Sequence, residues 1–291
     1  MSNKTKALLV LFFGIIIGAP SPALTKIGLK EIPPYTFTFI RFIISSIFII
    51  PFFLKQRIVL NKSLIKLLLF SFLPIINIIF YVQGIKITTA NSTMLIQSVI
   101  PIITAIFSFI VIKEKISNIK WLAISFGLLG TWYTILLPAI ETNSISGNMY
   151  GNILILLGAI VYCLYMVLLK KAQRTHSMIT IVSMMIFAGL LVFSLLSLTE
   201  KFDYSLMMNN VSNLAKLSLF YLALTITIGS YLLSQYRIKL AGPVAASLDF
   251  YLGPPVGYLF SYILLGEILT PGLLIGTILV LTSVVFVTYS K

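Results

Sequence analysis

The chain contains one cysteine, Cys163, and one histidine, His176. That scarcity excludes a disulfide framework, a zinc site built from Cys and His, and Cys/His nucleophilic catalysis. Cys163 lies in an apolar stretch and reads as a small packing residue, and His176 sits among Lys171, Arg174 and Thr175 as a solvated loop residue. Acids are nearly as scarce, with seven Asp and Glu against 21 Lys and Arg. Charged residues make up only 10% of the 291 positions, too few to clothe a soluble domain. There is no glycine-rich phosphate loop, so ATP is not the direct energy source, and no cofactor or metal is expected. No cluster of polar residues suggests an enzyme active site.

Apolar residues fill that space. They account for 59% of the chain, and the mean hydropathy is +1.06. Apolar runs of about 20 residues recur throughout, the length at which a helix crosses a hydrocarbon core. A membrane β-barrel would alternate apolar and polar positions instead, so the expected fold class is an all-α membrane protein. Ten spans are predicted near residues 7–29, 34–54, 65–86, 90–112, 119–138, 150–170, 178–199, 216–237, 243–265 and 271–289. The first run is long, carries two prolines and lacks a small-residue cleavage motif, so it is expected to be retained as a helix.

A net charge of +14 raises the possibility of a nucleic-acid partner, and the distribution of the charge argues against one. With the N-terminus inside, cytoplasmic segments receive Lys4, Lys6, Lys55, Arg57, Lys62, Lys66, Lys113, Lys115, Lys120, Lys170, Lys171, Arg174, Arg237, Lys239 and Lys291. The outer side receives Lys26, Lys30, Lys86, Lys201 and Lys216, and Arg41 falls inside a span. This bias follows the positive-inside rule and predicts a multi-pass protein of the cytoplasmic membrane with both termini cytoplasmic.

The two halves resemble each other. At an offset of 153, "NSTMLIQSVIPIITAIFSFIVIKEKIS" (91–117) pairs with "VAASLDFYLGPPVGYLFSYILLGEILT" (244–270), which sets Pro101 on Pro254 and Glu114 on Glu267. Five spans per half (1–138 and 150–291) make the second unit inverted relative to the first, an arrangement common in secondary transporters. Together with Arg41 in the second span ("FTFIRFIISS"), this pattern resembles the drug/metabolite transporter superfamily, specifically its EamA branch. The resemblance implies ten helices in two inverted five-helix repeats around a central cavity, carrying small metabolites by alternating access. The family often has tryptophans in the first and sixth spans, where this chain has "GIIIGAPSPALTK" and Tyr162, and "IKE" stands where it tends toward "LGE".

Asp249 is the acidic residue that falls inside a predicted span, in "ASLDFYLGPP". A carboxylate there costs about 2.5–3.5 kcal/mol on insertion scales unless it meets water or a partner. It is a candidate to carry a coupling proton or to pair with a substrate ammonium; the alternative is a packing role with Gln235, Ser247 or a neighbouring helix. Arg41 is the candidate cation for a substrate carboxylate, or else an anchor that snorkels to the surface, and Lys26 is similar. Depth along the helices sets Arg41 and Asp249 about 10 Å apart, too far for the two ends of one α-amino acid. A joint site therefore requires a longer substrate or different span boundaries, and otherwise the two residues act in different steps.

Other candidates follow from helix-breaking and polar residues. Pro20 and Pro22 in the first span, and Gly253, Pro254 and Pro255 in the ninth, are expected to break helices near a binding site, with Pro101 a kink. Tyr251, Tyr258 and Tyr262 share one helical face and could line a cavity or pack. Asn77, Gln83, Asn91 and Gln97 are candidates for substrate contact or interhelical hydrogen bonds. Glu114 and Glu267 are expected to cap helix ends, with gating as the alternative. The leading functional reading is a secondary active transporter of a small polar or zwitterionic metabolite such as an amino acid or derivative. Its partners would be that small molecule, the lipid bilayer and, as a candidate coupling ion, the proton. The alternatives are a proton-coupled exporter of hydrophobic cations and, in another class, a lipid scramblase or membrane enzyme.

Overall fold

The computed structural model describes residues 13–56, 61–113, 147–205, 210–247 and 249–289, together with Val10, Leu122, Ser125, Phe126, Leu129, Gly130, Trp132, Tyr133, Leu136 and Met207. Glu114 and most of the predicted fifth span lie outside the described residues.

Helices dominate, and their starts are written in the sequence. After a short helical piece over 13–18, the chain turns at Ala19 and Pro20 and restarts as α1 (Ser21–Glu31), with Pro22 in its first turn. Then follow α2 (Pro34–Leu54), α3 (Lys62–Ile87), α4 (Ala90–Gln97) and α5 (Ile100–Ile112). The second half holds α6 (Met149–Ala172), α7 (Met178–Ser197), α8 (Asn213–Tyr221), a π-helical segment (Leu222–Ser230), α9 (Tyr231–Ala246), α10 (Asp249–Leu265) and α11 (Pro271–Tyr289). Asn61, Thr89, Asn148, Ser177 and Ser212 each sit at an N-cap and accept a backbone N–H of the first turn. These are the short polar side chains that satisfy a helix's orphan donors.

Among the described residues, six helical stretches are long and apolar enough to cross a membrane: Pro34–Leu54, Lys62–Ile87, Ala90–Ile112, Met149–Ala172, Met178–Ser197 and Asn213–Val244. The last reaches the predicted junction between the eighth and ninth spans. The helix runs through Arg237 and breaks at Gly242, whose φ of 85° and ψ of 171° are not helical and suit glycine; a last helical turn from Pro243 to Ala246 follows. Arg237, at the inner end of the predicted eighth span and counted among the cytoplasmic charges, lies within the helix and is buried.

Close backbone contact holds α3 against α6. A Cβ on Gly84 would stand 2.8 Å from the carbonyl oxygen of Gly151, and one on Gly151 equally close to that of Gly84. Only residues without side chains let two helix backbones meet in this way. On the neighbouring pair, Phe42 of α2 stacks on Phe193 of α7, with ring centroids 5.5 Å apart. Its ring also fills the place a side chain at Gly189 would need.

Among the described residues, three carboxylates close helix ends. Glu267 accepts from Ala90 N and Asn91 N at the start of α4, both at 3.0 Å. Glu200 accepts from Tyr35 N, Thr36 N and Thr36 Oγ1 at the start of α2, and Glu31 accepts from Ser212 N and Oγ at the start of α8. A negative charge at a helix N-terminus is favourable because the first N–H groups and the helix dipole point at it.

Candidate functional site

A cavity of about 170 Å³ opens among the helices. Arg41 reaches it from α2, Asn77 and Tyr81 from α3, Gln97 from α4, Tyr162 from α6 and Asp249 from α10. Asn77 and Tyr81 are four residues apart and so share one face of α3. Breaks in the helices supply much of the remaining wall. Gly18, Ser21 and Pro22 flank the turn at Ala19–Pro20, Ile100 follows the Ser98–Val99 interruption that Pro101 helps impose, and Ser230 ends the π-helical segment.

Asp249 does not stand alone. Arg237 Nη2 lies 2.6 Å from its Oδ2, and both residues are largely buried. The pair joins α9 to α10, and Arg237 also lies against the helical piece over 13–18: a Cβ on Gly14 would stand 2.8 Å from its Nη1. Gln235 and Ser247, the partners expected from sequence, do not hold the carboxylate; Asp249 Oδ1 and both side-chain polar atoms of Gln235 are buried without a hydrogen-bond partner.

Arg41 is 4% exposed. Burial of this degree rules out snorkelling to the surface in this structure. Its Nε donates to Thr227 Oγ1 at 2.6 Å, and among the described residues the recorded salt bridge is Arg237–Asp249, so no carboxylate is paired with Arg41. Thr227 is presented by the π-helical segment, where its Oγ1 also reaches Leu222 O at 3.1 Å. Such wide turns recur at functional sites, and nothing in "LALTITIGS" announces one.

Arg41 and Asp249 thus line one cavity, although depth counting kept them apart. Other expectations are not gathered there. Tyr258 is buried with its hydroxyl 3.0 Å from Thr277 Oγ1, tying α10 to α11, while Tyr262 is 63% exposed on the outside of the bundle. The side chain of Tyr251 lies outside the described residues. Tyr81, Tyr162 and Tyr231 line the cavity instead. Lys26 turns away from it, with Nζ donating to Thr88 O at the end of α3. Asn91 is buried beneath the Glu267 cap, and Gln83 is half-buried on α3 outside the cavity wall. Gly253, Pro254 and Pro255 do not interrupt α10, which is continuous from Asp249; the bends precede them, at Gly242 and Ser247. Gly253 and Pro254 do line the cavity, where proline leaves the Phe250 carbonyl without its usual helical donor.

The chain is similar to proteins named as transporters along its whole length. It is 29% identical to the "Uncharacterized transporter YdfC" of Bacillus subtilis over 100% of this chain and 94% of that one. It is 26% identical to the "Uncharacterized inner membrane transporter YedA" of Escherichia coli K12, over 97% and 90% of the two chains. A solved crystal structure shares the fold at a TM-score of 0.69, with 16% identity over 98% of this chain and 96% of that one. The model of the EamA-like transporter family matches residues 5–136 and 149–289, and the chain belongs to that family of membrane transporters.

Proposed function

We propose that the protein is a secondary active transporter that moves a small polar metabolite across the cytoplasmic membrane by alternating access. The observation that carries this reading is the convergence of Arg41, Asn77, Gln97, Tyr162 and Asp249, from five different helices, on one cavity. Polar and charged groups inside a membrane bundle are costly, and their common use is to meet a solute.

Two inverted five-helix units supply the moving parts in this proposal. Support comes from Lys113 and Gly266, which stand 153 positions apart, the offset of the sequence repeat, and both adopt left-handed backbone, with φ of 57° and 68°. Each closes a helix at the corresponding place, α5 in one half and α10 in the other. The breaks at Ala19–Pro20, Ser98–Val99 and Gly242 are the proposed hinges. Export of hydrophobic cations is less well supported, because Asp249, the acid on the cavity wall among the described residues, is already occupied by Arg237.

The test is uptake of a labelled panel of amino acids and their derivatives into proteoliposomes, with and without an imposed pH gradient. Saturable movement that Arg41→Gln or Asp249→Asn abolishes supports the proposal. Lipid movement without any solute flux would support a scramblase and contradict it.

A further inference from the structure

We infer that the cavity takes a small organic anion carrying one net negative charge, a carboxylate without a free ammonium group, and that Arg41 is the residue that binds it. This rests on the cavity being the transport site. The inference begins with a charge count. Among the described residues, the groups charged at neutral pH that meet there are Arg41, Asp249 and, through its ion pair, Arg237. Arg237 and Asp249 neutralise each other at 2.6 Å, which leaves one positive charge uncompensated among the described residues. That charge is on Arg41, which is buried, lines the cavity and has Thr227 Oγ1 as its recorded hydrogen-bond partner. A guanidinium withdrawn from water needs an anion, and its planar fork matches a carboxylate.

The remaining wall fits the same ligand. Tyrosines 81, 162 and 231 bring hydroxyl groups that can donate to a carboxylate or carbonyl oxygen, while Ile78, Ile100 and Phe250 suit a short apolar tail. A zwitterion would need a free acid for its ammonium, and a cation would face Arg41 with no counter-charge. Asp249 offers neither of them an unoccupied carboxylate, since Arg237 holds it.

The experiment measures ligand-induced thermal stabilisation of the full chain in lipid nanodiscs, with size-matched short 2-oxo acids and fatty acids, their amides, the corresponding amines, and zwitterionic amino acids. The expected result is saturable stabilisation by the carboxylates, at least tenfold weaker for the amides and absent for the amines. Arg41→Lys should bind at least tenfold more weakly than wild type, and Arg41→Gln should not respond. Arg41→Lys retains the charge, so it serves as the reference if Arg41→Gln does not fold. No carboxylate binding, zwitterion binding as tight as that of the matched anion, or carboxylate binding that Arg41→Lys and Arg41→Gln leave unchanged would each overturn the inference. Carboxylate binding without flux in liposomes would sink the transport reading alone, and flux of amines through the wild-type protein would sink the anion assignment alone.

Discussion

Arg237 Nη2 and Asp249 Oδ2 meet at 2.6 Å, linking α9 to α10 across the bend between Gly242 and Ser247. The pair is worth less as a stabiliser than its short distance suggests, because both ions have been taken out of water to form it. Losing one partner is what costs. Arg237→Ala should destabilise the protein by about 3–5 kcal/mol by leaving Asp249 buried and unpaired. The double variant Arg237→Met, Asp249→Leu should recover most of that loss. Thermal midpoints of the wild type and these two variants check the claim; a double variant as unstable as Arg237→Ala would contradict it.

Gly14 should couple to that pair. A methyl at this position would sit 2.8 Å from Arg237 Nη1, a group that Asp249 keeps from moving aside. Gly14→Ala is expected to cost about 1–3 kcal/mol through overpacking. In an Arg237→Ala background the same change should cost little. Equal penalties in both backgrounds would mean that the guanidinium is not held in place.

Lys113 occupies left-handed backbone at φ 57°, a conformation that costs a side-chain-bearing residue about 1–2 kcal/mol. Glycine stands at the corresponding place in the second half, Gly266. Lys113→Gly should therefore raise the thermal midpoint, while Gly266→Ala should lower it, and transport by Lys113→Gly should be unchanged.

Glu267 should behave as a helix cap. Its two oxygens take Ala90 N and Asn91 N, so Glu267→Gln removes one acceptor and the charge at the start of α4. A loss of about 1–2 kcal/mol is expected, and more for Glu267→Ala. Hydrogen exchange at the amides of Ala90 and Asn91 should quicken in both variants.

Much of the fold was legible because lipid imposes a length. The predicted spans 34–54, 65–86, 90–112, 150–170 and 178–199 fall within a few residues of α2, α3, α4 with α5, α6 and α7. Where the sequence misled, tertiary packing decided. Arg237 looked like a cytoplasmic charge because a basic residue just before Gly242 and Pro243 resembles a span boundary; the helix does break at Gly242, but Arg237 is buried and paired with Asp249. The periodicity that placed Tyr251, Tyr258 and Tyr262 on one face was sound, but periodicity cannot say which way a face turns, and Tyr262 faces out. Asp249 and Arg41 were recognisable by cost alone; that they share a cavity depends on tilts and breaks no single sequence encodes.

Alternating exposure of the cavity is the central claim, and side-specific labelling tests it most directly. Cys163 is buried, so Gln97→Cys would place a lone reactive thiol on the cavity wall. A membrane-impermeant thiol reagent is applied to right-side-out and to inverted vesicles, with and without a transported solute. The thiol should react from both sides and be protected by the solute. Reaction from one side alone, indifferent to solute, would contradict the claim.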